Sequence, residues 1–329
     1  MEIRQERQIS PVADDVSALV GVTRPILVGL LHSIGEEYLE VHGGREGILL
    51  KNLGRVRKAN DGDLGIAFEY AVHDAILRQE PSVTDRISEA LRQCRIGTDV
   101  PSSILFAMEK DGTKQLIDTK RDLITAESRV LSGNQGQPVK LQKYMNQLAA
   151  AFHKPSSRPA LPRSIQGLWK ADLFLGSPQR DHWVGTTIKV KPQAVEPARG
   201  LRIAVVPSTW QKSDRVRKDD QKNLIICPLP YDPEFMTLFY DGMQIIQQLV
   251  SHDFKMPSEP ALPRPLHRRV AEMYVDRREF TIAEVVDALA VSAQPHLLES
   301  RPEDVGVFEL AGSEAPDTST AVSPMPLLT

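Results

Sequence analysis

Only two cysteines, Cys94 and Cys227, occur in 329 residues. They lie far apart and in no metal-ligand spacing. That excludes a disulfide framework or a zinc knuckle and leaves reduced, buried thiols as the expectation. Charge of one sign is scarce too, with a net charge of −3 at pH 7. A dominant basic surface is excluded, so any affinity for nucleic acid must come from local features. Long apolar runs are missing: ILVGLL at Ile26–Leu31 is far too short to cross a bilayer. The charged opening MEIRQERQIS lacks the apolar core of a signal peptide. Together these point to a cytoplasmic protein that does not associate with membranes. No Gly-rich phosphate loop, GxSxG elbow, HExxH pair or paired CxxC is found, which argues against ATP hydrolysis, serine-hydrolase and zinc-protease chemistry.

What is there reads as a soluble α+β protein, with a hydrophobic fraction of 41% and a charged fraction of 25%. Residues 1 to about 60 read as an N-terminal helical region. A core of strands and helices is expected over 61–255, with a helical and hairpin insertion at about 80–163. A small helical pair follows at 256–298, and an acidic tail rich in Pro, Ser and Thr at 299–329 reads as disordered. Apolar residues returning every three or four positions predict helices at Pro25–Val41, Leu64–Arg78, Val83–Arg95 and Lys140–Phe152. Asp111-Gly112 suggests a hairpin turn within Ile104–Ile117. Short strand-like runs are Leu168–Leu175, Trp183–Val190, Leu201–Val206 and Leu224–Pro228. Between the last two, Gln211–Lys222 is strongly charged and reads as helix or loop. Asp232-Pro233-Glu234 is a helix start, with an acid at the cap and proline at the first position. The helix it opens reaches about His252.

The chemistry concentrates in Lys170–Lys191, KADLFLGSPQRDHWVGTTIKVK. Residues two apart on a strand share a face, so Thr187, Lys189 and Lys191 project together. Asp172 sits in an otherwise apolar run, where a carboxylate is costly unless paired, hydrogen-bonded or metal-bound. If the two strands pair antiparallel, Asp172 and Lys189 meet. A carboxylate and a second oxygen donor suit a magnesium ion, and a neighbouring lysine suits a water or phosphate oxygen. The plainer reading of Asp172 and Lys189 is a salt bridge. Lys191, Lys212, Arg215, Arg217 and Lys218 are candidate phosphate contacts, or else solvated side chains. Arg264, His267, Arg268 and Arg269 form a second basic cluster.

This stretch resembles the PD-(D/E)XK nuclease superfamily, whose pattern is an acid on one strand and acid-x-Lys on the next. Here the pattern falls on Asp172 and Thr187-Ile188-Lys189, with Thr187 at the place of the second acid and Ala171 where proline is frequent. The helix Gly65–Val72 (GIAFEYAV) is similar to the family's glutamate-bearing helix and offers Glu69. The resemblance covers roughly residues 61–78 and 164–230. It implies a restriction-endonuclease-like fold, with a mixed central sheet flanked by helices, and a Mg²⁺- or Mn²⁺-dependent endonuclease acting on DNA, in a bacterial restriction or anti-phage setting. Asp172, Glu69 and Lys189 would be catalytic, and Asp172, Glu69 and Thr187 would hold metal. The partners implied are DNA and either a second copy or a larger defence complex. The alternative is a relative that has lost catalysis and binds nucleic acid or scaffolds such a complex.

Overall fold

A computed structural model describes residues 14–56, 63–106, 123–133, 137–208, 215–231, 235–257 and 261–293. Five helices come first: α1 (Asp14–His32), α2 (Glu36–Val41), α3 (Leu53–Val56), α4 (Asp63–Leu77) and α5 (Pro81–Gln93). Strands β1 (Ser102–Leu105), β2 (Arg129–Val130) and β3 (Val139–Lys140) lead to α6 (Leu141–His153). Then come β4 (Leu173–Ser177), β5 (His182–Ile188), β6 (Arg202–Pro207), β7 (Arg217–Asp219) and β8 (Leu224–Leu229). Three helices close the described chain: α7 (Phe235–Ser251), α8 (Pro265–Val275) and α9 (Ile282–Ala288).

The expected α+β architecture is present: one mixed sheet of eight strands flanked by helices. The main path is β1-β4-β5-β6-β8-β7, with β2 and β3 beside the start of β5. β1, β4 and β5 are antiparallel neighbours, whereas β5–β6 and β6–β8 are parallel. Alternation sorts the side chains. Leu173, Leu175, Val184, Ile188, Ile203 and Val205 face one large apolar core shared with α1, α4, α5 and α7. Phe174 and Trp183 face the other way, into a smaller cluster with Leu168 and residues of α6. Ala204, Val206, Leu224 and Ile226 form a third cluster on that same second face.

The first helix runs from Asp14, through the Pro25 that was expected to start it. Proline inside a helix forfeits a backbone bond, but Ala18, Leu19, Val20, Ile26 and Leu27 are all buried, and this packing outweighs the loss. By length and composition α1 could cross a membrane, yet 72% of that stretch is buried, so it serves as a core helix. The charged stretch also differs from expectation. Its part Arg217–Asp219 is an edge strand antiparallel to β8, neither helix nor loop. The hairpin turn at Asp111-Gly112, the helix start at Asp232-Pro233-Glu234, Lys212 and the tail lie outside the described residues.

The C-terminal pair packs on the same core as the N-terminal helices. Ile282 N–H donates to the Ile48 carbonyl at 3.1 Å, and the Thr23 and Tyr274 hydroxyls meet at 2.6 Å. A capping box fixes the start of α9: Thr281 Oγ1 accepts from Glu284 N–H, and Glu284 Oε2 accepts from Thr281 N–H. Cys94 and Cys227 are free and buried as expected, and burial pushes each thiol up to about 12. Neither is a nucleophile at neutral pH.

Candidate functional site

Register brings the predicted residues together. Leu173 pairs with Thr186 across the β4–β5 ladder, which puts Asp172 opposite Thr187. Asp172 is locked there by its own backbone: its N–H donates to Thr186 O at 2.8 Å, and its carbonyl accepts from Phe106 N–H at 3.0 Å. Because Val184 and Ile188 enter the helical core, Thr187 and Lys189 project from the opposite face.

Three donors converge on one carboxylate oxygen, Asp172 Oδ2. Ile188 N–H donates at 2.7 Å, the Thr187 hydroxyl at 3.2 Å and the Lys189 ammonium at 3.3 Å. Asp172 is only 7% exposed, whereas the Lys189 side chain is 37% exposed. The pair is therefore a buried anion capped by a half-buried cation whose outer side meets solvent. Hydrogen bonds to a charged group contribute about 1.5–3 kcal/mol each, so the fold tolerates this carboxylate because its donors are fixed.

Two further charges join the site, and neither stood out in the sequence. Arg202, on β6, is 6% exposed and pairs in register with Gly185 on β5. A Cβ built on Gly185 would lie 3.7 Å from Arg202 Cγ and 3.6 Å from Ala171 Cβ. Arg202 therefore crosses Gly185 on the face that carries Thr187 and Lys189, beside the residue preceding Asp172. Burial pulls the Arg202 pKa down, and the Asp172 and Glu196 carboxylates oppose this. Glu196, in the β5–β6 loop, accepts from Lys170 Nζ at 3.0 Å. That hydrogen bond, with the Lys170 charge, holds its carboxyl below the usual range, assisted by Arg202 and Lys189. The signal for Arg202 was present: a charge inside the apolar run LRIAVVP, the same irregularity that marked Asp172.

Glu69 is placed differently. It is half-buried on α4, whose residues Ala67, Phe68, Ala71 and Val72 enter the helical core on the far face of the sheet. One turn later, His73 Nδ1 and Ser103 Oγ lie 2.9 Å apart, tying α4 to β1 next to β4. The structure thus brings Asp172, Thr187 and Lys189 together, with Glu69 in the layer behind them. Lys191 is exposed just beyond β5. Arg215, Arg217 and Lys218 are exposed at the β7 edge, three strands from β5, or roughly 14 Å across the sheet. Lys218 is paired there with Asp220 at 2.6 Å. In the second basic cluster, Arg264 is exposed but His267 is buried, and both face Asp241.

The donor set bears on metal. Among the described residues, no group of three or more His, Cys, Asp or Glu side chains could hold an ion. Magnesium does not require such a cage; it keeps several waters and uses one or two carboxylates together with substrate phosphates. Asp172 Oδ1 lies outside the hydrogen-bond set on Oδ2, and the Thr187 hydroxyl adds a second hard oxygen. These fit a magnesium ion shared with a phosphate, and they do not fit a zinc-type centre.

A cavity of about 840 Å³ lies on the other side of the sheet, between α1, α4, α5 and α7. None of the predicted site residues lines it. Asp74 does, and burial pushes its carboxyl up to about 6, with Arg24 opposing. Between about pH 4 and 6 the folded protein therefore holds a proton here that the unfolded chain has released. The associated stability is fully present below the ordinary carboxylate range and is lost as pH rises to about 6. Asp74→Asn should flatten this slope and stabilise the protein at pH 7.5 by about 1 kcal/mol, less than the full shift because Asp74 is partly exposed and pairs with Arg78 at 2.9 Å. Urea midpoints at pH 4.5 and 7.5 measure it; a gap between variant and wild type that does not widen with pH contradicts it.

Comparison with protein-family models, with curated proteins and with solved structures finds no match to this chain.

Proposed function

We propose that the chain is a Mg²⁺-dependent endonuclease of restriction-endonuclease-like fold that cleaves DNA phosphodiester bonds. The observation that carries this reading is the Asp172–Lys189 pair, 3.3 Å apart at the adjoining ends of the antiparallel strands β4 and β5, with the Thr187 hydroxyl on the same Asp172 oxygen. Further support comes from the antiparallel β1-β4-β5 group, followed by the parallel β6, with helices packed on both faces.

Asp172 and Thr187 would hold the ion; Glu69, which α4 carries on the other face of the sheet, would stand outside this ligand set. A bound magnesium ion would neutralise phosphate charge and make its water a better nucleophile. Lys189 spends one of its three N–H donors on Asp172 and keeps its exposed side for a phosphate oxygen or the attacking water. Ile188 N–H and the Thr187 hydroxyl fix the Asp172 carboxylate so that no reorganisation is needed when substrate arrives. Lys191, Arg215 and Arg217 would contact the flanking backbone. A cytoplasmic role in bacterial restriction or anti-phage defence belongs to the same reading. So does assembly as a dimer or within a larger complex, since cutting two strands needs two sites.

Incubating plasmid DNA with the protein in Mg²⁺, in Mn²⁺ and in EDTA tests it. Metal-dependent nicking or linearisation is expected, with Asp172→Ala reducing it at least about 1,000-fold. Equal cleavage by Asp172→Ala, or none by wild type with either metal, defeats the proposal.

One observation favours a second reading, a non-cutting nucleic-acid-binding or scaffolding subunit. Thr187 donates to Asp172 Oδ2, so a hydrogen-bond donor occupies the place where a second carboxylate is expected. Absence of any Mg²⁺- or Mn²⁺-induced rise in thermal midpoint, together with absence of cleavage, selects that reading.

A further inference from the structure

Arg202 is a charge that the fold keeps at a cost. Long cationic side chains are almost never buried unless paired, and Arg202 is 6% exposed. Among the described residues, its one hydrogen bond is Nη2–H to the Pro197 carbonyl at 3.5 Å, the outer limit of such contacts. Among the described residues no carboxylate lies within ion-pair distance of it, although every other charge of this site has a partner at 3.3 Å or less. A guanidinium carries five donors in a planar fork matched to two oxygens of one phosphate. Four of those donors have no acceptor in the described structure. Its remaining nitrogens are not sealed from solvent either, because none is among the fully enclosed, unpartnered atoms. The fork is thus buried along its stem and open at its tip.

Position says what the fork serves. Arg202 crosses Gly185, where a Cβ would lie 2.4 Å from Leu168 Cδ2, on the sheet face that carries Asp172 and Lys189, and the Asp172 charge acts on its guanidinium. Local charge points the same way. Lys170, Lys189 and Arg202 are three cations against the two carboxylates of Asp172 and Glu196, which leaves one positive charge in excess. A single phosphodiester carries one negative charge.

We infer that Arg202 is the phosphate-holding residue of this site: its guanidinium takes two oxygens of a nucleic-acid backbone phosphodiester and sets it beside Lys189 and Asp172. The role is binding and positioning, and it rests on the phosphodiester reading above. The same fork chemistry would suit free phosphate; the backbone is favoured because Lys191 continues the cationic line from Lys189 along the surface.

The test compares wild type with Arg202→Gln and Arg202→Lys. Binding of a labelled DNA duplex is followed by anisotropy in EDTA over a series of salt concentrations, and cleavage is followed separately in Mg²⁺. Arg202→Gln should bind about tenfold more weakly and lose about 1 from the slope of log K against log salt, since one phosphate contact is gone. Arg202→Lys should keep the slope, because charge is retained, yet cleave at least about tenfold more slowly, because the fork is lost. A purely structural arginine would leave the salt slope unmoved. An unchanged slope and rate in folded Arg202→Gln overturns the inference; should that variant not fold, a wild-type cleavage rate in Arg202→Lys overturns it equally. Inorganic phosphate supplies a further arm. If it raises the thermal midpoint of wild type and not of Arg202→Gln, while duplex binding ignores the substitution, the site belongs to a small phosphate and the backbone assignment falls. If wild type cuts nothing yet its salt slope depends on Arg202, the phosphate site stands and the nuclease reading alone is lost.

Discussion

Lys189→Ala should remove DNA cleavage while sparing the fold. The expected loss is about 1,000-fold in the single-turnover rate, the scale on which a transition-state hydrogen-bond donor or proton-transfer group acts. Stability should fall by only about 1 kcal/mol, because the Lys189 side chain is 37% exposed and partly screened. Asp172 is not orphaned by the change: Ile188 N–H and the Thr187 hydroxyl still donate to its Oδ2. That separation of effects gives the experiment its force. If Lys189 were merely the partner of a buried carboxylate, alanine would lower the urea midpoint and leave the cleavage rate within a few-fold of wild type. Lys189→Arg should not restore activity, since a planar fork cannot occupy the position of a compact ammonium. Rates at saturating Mg²⁺ beside urea melts of the three proteins decide the matter, and near-wild-type cutting by Lys189→Ala sinks the assignment.

Legibility in the sequence followed local periodicity. β5 was readable because Thr187 and Lys189 alternate with Ile188, and the antiparallel pairing that joins Asp172 to Lys189 follows from the polar turn between two apolar runs. Helices α4, α5 and α6 lie within about two residues of their apolar repeats. The failures have tertiary causes. β7 has no apolar signal, because Arg217 and Lys218 are both exposed and only pairing with β8 makes them a strand. The start of α1 is not legible because proline reads as a helix opening, whereas burial of the preceding turns carries the helix through it. Arg202 is not legible for another reason. A charge in an apolar strand gains meaning only when the neighbouring strand is known, and it is the parallel β5–β6 register that sets Arg202 across from Gly185. Glu69 marks the limit of pattern reading. Its helix was legible, but sequence alone could not place α4 on the face of the sheet away from Thr187 and Lys189.

Neighbouring substitutions in α4 should therefore divide scaffold from chemistry. Phe68→Ala is expected to cost about 3–5 kcal/mol, the usual price of deleting a fully enclosed ring. Phe68 is 0% exposed, and its ring centroid lies 5.0 Å from that of Phe239 on α7, so its loss opens a void between two helices of the main core. Glu69→Ala, one residue on, removes a half-buried polar group and should cost about 1 kcal/mol or less. Because α4 lies on the face of the sheet away from Thr187 and Lys189, that small change in stability should leave Mg²⁺-dependent cleavage and the metal-induced rise in thermal midpoint within about twofold of wild type. Guanidine unfolding measures the first variant, and cleavage with metal titration measures the second. A folded Glu69→Ala protein that loses cleavage and metal binding by about tenfold or more would instead make Glu69 the second carboxylate. A Phe68→Ala loss below about 1 kcal/mol would mean that α4 is not the rigid support that burial in the main core requires it to be.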